Sequence, residues 1–211
     1  VHNRLEKDRT NTHLILLAKN ENGRQAINDI LSEANITGFY FQPRIDEELL
    51  FSLPKDDVWV TSACLGGIWR YGFEEAEKFI VKCKKYFNDN FFLEVQAHNT
   101  ESQKEINKEI LRLKYTYNIP LIAGVDSHYI DNDRAWERDD FIKSRGIHYE
   151  DEEGWYMDYP SCDELYSRFK EQGVLTDSEI QEALDTTNVL LEVEEYDSPI
   201  FNKDIKMPTL Y

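Results

Sequence analysis

Four short apolar runs separated by helix-like stretches fill the first 135 residues, and this alternation constrains the fold more than any other feature of the chain. Residues 12–18 (THLILLA), 57–63 (DVWVTSA), 91–97 (FFLEVQA) and 121–125 (LIAGV) are rich in branched and aromatic side chains and too short for helices. Between them apolar residues recur at helical spacing. Ala26, Ile27, Ile30, Leu31 and Ala34 mark a face over 22–35, and Ala76, Phe79, Ile80, Cys83 and Phe87 mark one over 73–87. Ile106, Ile110, Leu113 and Tyr117 do the same over 101–117. Segment 37–44 (TGFYFQPR) reads as irregular and extended, and Asp46 is placed to cap a short helix before Pro54. The order β-α-β-α-β-α-β predicts an α/β fold with a parallel sheet of crossover units, open or closed into a barrel. Only one glycine follows the first run, at Gly23, so a dinucleotide-binding fingerprint is disfavoured.

The pattern changes near residue 133. Residues 134–144 read as helical, and 146–160 (GIHYEDEEGWYMDYP) as an acidic, aromatic loop. Ser161 or Asp163 is placed to cap a helix to about 171. Thr176-Asp177-Ser178-Glu179 fits a capping box opening another to about 193. Trp136 and the Trp155-Tyr156 pair are expected to pack a small core, because no basic patch interleaves with them. Charge divides along the same line. The chain carries 41 acidic and 24 basic residues, a net of −17, and residues 136–211 hold 20 of the acids against 7 bases. Residues 1–135 are nearly balanced, so acidity does not exclude a nucleic-acid substrate there; the acidic segment is not expected to face DNA. No run approaches the length of a membrane span, and no signal peptide is visible. Three scattered cysteines, Cys64, Cys83 and Cys162, make a disulfide framework unlikely and fit a reducing, cytoplasmic setting.

Residues able to carry chemistry collect at the ends of the runs. Asp126 and His128 follow the fourth, where ligands gather beyond the carboxyl ends of parallel strands. An oxygen and a nitrogen donor two residues apart suit zinc, manganese or iron; the bland alternative is an exposed turn. Cys64 follows the second run beside Gly66 and Gly67, either as a thiolate ligand or as a small buried residue. Glu94 and His98 share one side of the third run with Phe92 and Gln96, at an active-site mouth or on a solvated edge. His13 opens the first run, which puts it at the wrong end for the usual barrel rule.

Residues 12–23 (THLILLAKNENG), 38–46 (GFYFQPRID) with Leu49-Leu50, 62–66 (SACLG), 92–98 (FLEVQAH) and 119–129 (IPLIAGVDSHY) occur in the order and at the spacing of a known family. Together they resemble the PHP (polymerase and histidinol phosphatase) domain of the bacterial replicative DNA polymerase III alpha subunit. The resemblance is close over about 10–135 and looser beyond, and Lys206-Met207-Pro208 looks like the lead into a polymerase palm. It implies a distorted (β/α) TIM-like barrel of PHP type with a C-terminal helical appendage. The implied units are a barrel portion at 1–135, an acidic helical part at 136–205 and a linker at 206–211.

The resemblance also implies a divalent transition metal centre at the mouth, with zinc, manganese or iron held by His13, Cys64, Asp126 and His128. Asp126, His128, Glu94 and His98 would be the catalytic positions of a metal-dependent 3′–5′ exonuclease or phosphoesterase. The parent would be a DNA-directed DNA polymerase acting on DNA. The alternatives are a non-catalytic scaffold that binds a proofreading exonuclease subunit and a stand-alone phosphatase of the same superfamily. One departure matters. The family opens with a His-x-His motif and further His and Glu ligands, and none of these is present in this chain. The expectation is therefore a domain incomplete at its N-terminus, without robust nuclease activity of its own.

Overall fold

The computed structural model describes residues 1–147 and 154–194. Its centre is a four-stranded sheet in the order β1-β2-β3-β4, with β1 Ile15–Ala18, β2 Val58–Thr61, β3 Phe91–Gln96 and β4 Leu121–Gly124. The helices are α1 Glu21–Ile36, α2 Glu47–Leu50, α3 Phe73–Phe87, α4 Glu101–Tyr117, α5 Ala135–Ser144, α6 Cys162–Gln172 and α7 Asp177–Thr186. A 3₁₀ segment, Thr187–Glu192, continues α7 over the stretch expected to be α-helical. The sheet is open, and no closed barrel forms among the described residues.

Strands β2, β3 and β4 run parallel, as the crossover pattern predicts. β1 does not: it pairs antiparallel with β2, Ile15 opposite Thr61 and Ala18 opposite Val58. The reason lies in the connection. α1, at 16 residues, carries the chain back along the sheet by about 24 Å. Residues 37–57 then descend again, so β2 starts beside the end of β1 rather than beside its beginning. Lys19 N–H donates to the Asp57 carbonyl at 2.9 Å, and the Asn20 amide donates to the Asp57 carboxylate at 2.7 Å, which closes this junction.

Side-chain alternation gives the sheet two unlike faces. Leu16, Val58, Val60, Phe91, Leu93, Val95 and Leu121 point toward the helices and join the main core. The opposite face carries a small second cluster of Leu17, Trp59, Phe92 and Ile122, capped by Val189. The C-terminal helices are no appendage. Leu165 and Phe169 of α6 and Ile180, Ala183 and Leu184 of α7 belong to the main core, with capping boxes at Ser161/Glu164 and Thr176/Glu179. α5 differs, having no buried residue; Trp136 is 60% exposed, contrary to the expected core role, because Trp136, Phe141 and Ile142 do not fall on one face of the helix. No helix among the described residues is long and apolar enough to cross a membrane. The linker expected at 206–211 lies outside the described residues, as do residues 148–153 of the expected 146–160 loop.

Candidate active site

The carboxyl ends of β2, β3 and β4 form one rim. β2 runs into Ser62-Ala63-Cys64, β3 into Ala97-His98, and β4 into Val125-Asp126-Ser127-His128. The antiparallel β1 starts at this same rim, which removes the objection to His13. Its N–H donates to the Gly66 carbonyl at 3.0 Å, and Gly67 N–H donates to the Cys64 carbonyl at 2.7 Å. The imidazole and the thiol flank one glycine: a Cβ on Gly66 would lie 2.5 Å from His13 Cδ2 and 3.6 Å from Cys64 Sγ. Only glycine allows that approach. Burial pushes the Cys64 thiol up, and the charges of Asp126 and Glu94 push the same way, against a backbone hydrogen bond from Gly66.

Asp126 and His128 form a second pair, with Nε2 and Oδ1 3.8 Å apart and both side chains open to solvent. Asp126 holds φ +47°, a left-handed conformation that Asp tolerates better than most residues. The loop is held from outside. The N–H groups of His128 and Tyr129 donate to the Met157 carbonyl at 2.8 and 3.2 Å, and Ser127 Oγ donates to the Asp158 carbonyl at 2.8 Å. Asp158 is gripped by both terminal nitrogens of Arg168 on α6, each at 2.7 Å, and the Arg168 hydrogen bonds hold its carboxyl below the usual range.

Glu94 and His98 do not face solvent. Glu94 is 5% exposed and accepts hydrogen bonds from Thr61 Oγ1 at 2.6 Å and Gln96 Nε2 at 3.0 Å. Desolvation raises its pKa despite both bonds. His98 is 2% exposed; its Nδ1 accepts the Tyr156 N–H at 3.1 Å, and its ring lies 4.7 Å from that of Trp155. Burial lowers its pKa to about 4, so it is a neutral imidazole at pH 7 with the remaining proton on Nε2. Among the described residues that Nε2 has no partner. The solvated-edge reading of this side of β3 therefore fails.

The six predicted positions thus share one rim but divide into three groups: His13 with Cys64, Asp126 with His128, and the buried Glu94 and His98. The donor types suit a transition metal, yet among the described residues no three His, Cys, Asp or Glu side chains come together to hold one ion. As arranged, the donors do not make a closed metal centre. A cleft of about 980 Å³ opens elsewhere, between α1 and α3; it touches His13, Leu31, Ala34, Arg44 and Phe79, and neither Asp126 nor His128 lines it.

Residues that the sequence did not mark come from α6 and α4. Gln172, buried in α6, donates to the carbonyls of Gln96 at 3.0 Å and His98 at 2.7 Å. Asn107 of α4 donates to the same Gln96 carbonyl at 2.9 Å and to Gln172 Oε1 at 2.7 Å. These amides satisfy the carbonyls left over where β3 ends. The available signal was polar residues on otherwise apolar helix faces, Gln172 on α6 and Gln103 with Asn107 on α4.

Comparison with known proteins agrees with the motif order. Residues 2–98 match the PHP domain family. The chain is 33% identical over 181 residues to the DNA polymerase III subunit alpha of Borreliella burgdorferi, covering 83% of this chain and 15% of that protein. The Thermus aquaticus protein of the same name is 32% identical over 201 residues, 90% of this chain and 16% of that one. For Aquifex aeolicus the figures are 36% over 129 residues, 59% and 11%. The chain spans only 11–16% of the length of these relatives.

Proposed function

The chain belongs to the PHP domain family, and from that premise we propose that it serves DNA replication as the PHP part of an alpha-type polymerase subunit. The observation that supports a mouth is the antiparallel β1, which brings His13 to the rim already occupied by Cys64, Asp126 and His128. In this reading the four residues are ligands contributed to a divalent transition metal centre. The intact protein hydrolyses phosphodiesters there as a 3′–5′ exonuclease, with DNA as substrate. When bound, such an ion would supply an activated water and charge stabilisation. The chain's own part is to fix two donor pairs on one rim.

A second reading has a specific observation in its favour. The donors form separate pairs, while α5 presents Trp136 and Phe141 at its surface, each 60% exposed. Both suit a scaffold that stabilises the polymerase or binds a proofreading exonuclease subunit. Titrating the chain with Zn²⁺ or Mn²⁺ separates the two. A ligand-bearing mouth takes up metal that His128→Ala and Cys64→Ala each release, and the 211-residue chain alone shows no robust phosphodiesterase turnover. Absence of any uptake sensitive to these substitutions eliminates the metal reading in favour of the scaffold.

A further inference from the structure

The two donor pairs sit on strands that are not neighbours, β2 with its β1 partner on one side and β4 on the other. β3 lies between, and one of its side chains touches both sides. Glu94 Oε2 receives the Thr61 hydroxyl at 2.6 Å. Thr61 Oγ1 in turn accepts the Ala63 N–H at 3.1 Å, which orients the hydroxyl proton toward the carboxylate. Ala63 is held at φ +57° in the turn that delivers Cys64. The Glu94 N–H donates to Ser62 Oγ at 2.9 Å, so backbone and side chain grip the same turn.

On the other side the carboxylate packs closely against Gly124, two residues before Asp126. A Cβ there would come within 2.1 Å of Glu94 Oε1 and 2.6 Å of Cδ. Any side chain at 124 would displace the carboxylate, and any movement of the carboxylate frees both contacts at once. A buried acid with these partners is costly to keep, and apolar side chains would fill the space more cheaply.

We propose that Glu94 is a positioning residue that ties the Cys64 turn to the Asp126 strand and so sets the two donor pairs in fixed relation. It does not touch substrate or ion. The proposal rests on the reading of these pairs as the functional mouth, but its test does not need metal.

The test is backbone amide exchange at Ala63 and Gly124 in the 211-residue chain, referenced to amides in α4. In Glu94→Ala both sites exchange roughly tenfold faster than in the wild type while α4 is unchanged. In Glu94→Gln both stay within about twofold of wild type. The introduced amide keeps the Thr61 bond through its oxygen, and Gln96 Oε1, buried and without a partner among the described residues, turns to accept its N–H. Gly124→Ala reproduces the Glu94→Ala pattern from the opposite strand. Thr61→Val speeds Ala63 alone, and Thr61→Ser restores it; this pair stands even where the Glu94 and Gly124 variants fail to fold.

Alkylation of Cys64, with exposed Cys162 as internal control, gives a second readout. A rate change shared by the Ala and Gln variants reports lost charge, and one confined to Ala reports lost position. The proposal is overturned by unaltered exchange at either site in Glu94→Ala, by Glu94→Gln behaving like Glu94→Ala, or by acceleration that extends equally to α4. Metal uptake by the wild-type chain is scored separately. Its absence would remove the metal reading and leave the coupling of the two strands standing or falling on the exchange data.

Discussion

The two ends of one sheet are built on opposite terms. At the amino end of β2, β3 and β4, the face turned away from the helices is sealed by Trp59, Phe92, Ile122, Leu17 and Val189. Left-handed turns near that end fall on Asn88 and Asn118, the residue type that accepts them most easily after glycine. At the carboxyl end the same face carries Thr61, Glu94 and Gln96, and the left-handed turns fall on Ala63 and Asp126. One end gains its order from apolar burial. The other is ordered by hydrogen bonds to buried polar groups and gives up stability to present donors at the surface. A functional mouth and its foundation therefore respond to different perturbations.

The largest effect belongs to the sealed end. Phe92→Ala removes a ring that is 4% exposed and leaves a cavity against Trp59 and Ile122. The expected loss is about 3–5 kcal/mol of unfolding free energy in urea melts. Cys64 alkylation in the folded fraction should be unaltered. A small loss, or a changed thiol reactivity at unchanged stability, would erase the division between the ends.

At the mouth the corresponding device is electrostatic. His98 has a folded-state pKa of about 4 against an ordinary 6.5, so the unfolded chain binds the extra proton first. Stability conferred by keeping this imidazole neutral is complete above pH 6.5 and is lost as pH falls toward 4. Over that window the loss is about 3 kcal/mol, at 1.36 kcal/mol per unit. Carboxylates with lowered pKa, such as Asp46 and Asp158, withdraw their contributions only below 3.8. Glu94 runs the opposite way: its raised pKa makes the folded state relatively more stable below its ordinary 4.5. Replacing His98 with Asn should flatten the slope of stability between pH 6.5 and 4 in denaturant melts. An unchanged slope refutes the assignment.

Most of this division could be read in the chain before folding. Period-two alternation in 91–97 already set Phe92 with Glu94 and Gln96, and helical spacing placed α1, α3 and α4. Motif order grouped His13, Cys64, Asp126 and His128. Strand direction was not legible, because a pattern of β and α elements does not say how many times the chain traverses the sheet between two strands. That count decided where His13 lies. Nor did the sequence mark Arg168, Asp158, Gln172 or the Tyr156 N–H. Asp158, with Arg168 behind it, Tyr156 and Gln172 reach the rim from 31 to 76 residues away, and no local spacing encodes such a distance.

The Arg168–Asp158 pair tests whether the C-terminal helices share in the mouth. Both side chains are mostly buried, at 16% and 12% exposure, so the pair is worth more than a surface bridge. Asp158→Asn is expected to cost about 2 kcal/mol, since it leaves the guanidinium half-satisfied. It should also speed amide exchange at His128 and Tyr129, whose partners lie on the adjoining Met157 carbonyl. Destabilisation without that local acceleration would show that α6 supports the core but not the rim.

The smallest effect has the opposite sign and separates strain from function. Ala63 holds φ +57°, and a side chain in the left-handed region costs about 1–2 kcal/mol. Glycine adopts that conformation freely but loses more entropy on folding, by about 0.5–1 kcal/mol. Ala63→Gly should therefore stabilise the chain by at most about 1.5 kcal/mol. The Ala63 N–H keeps its bond to Thr61 Oγ1, so the Cys64 turn stays in place while its strain is relieved. If metal uptake weakens although stability rises, the strained alanine is part of how the donors are held. If uptake is unaffected while stability rises, the conformation is a by-product of the turn, and the Cys64 turn is held in place by its Thr61 and Glu94 contacts.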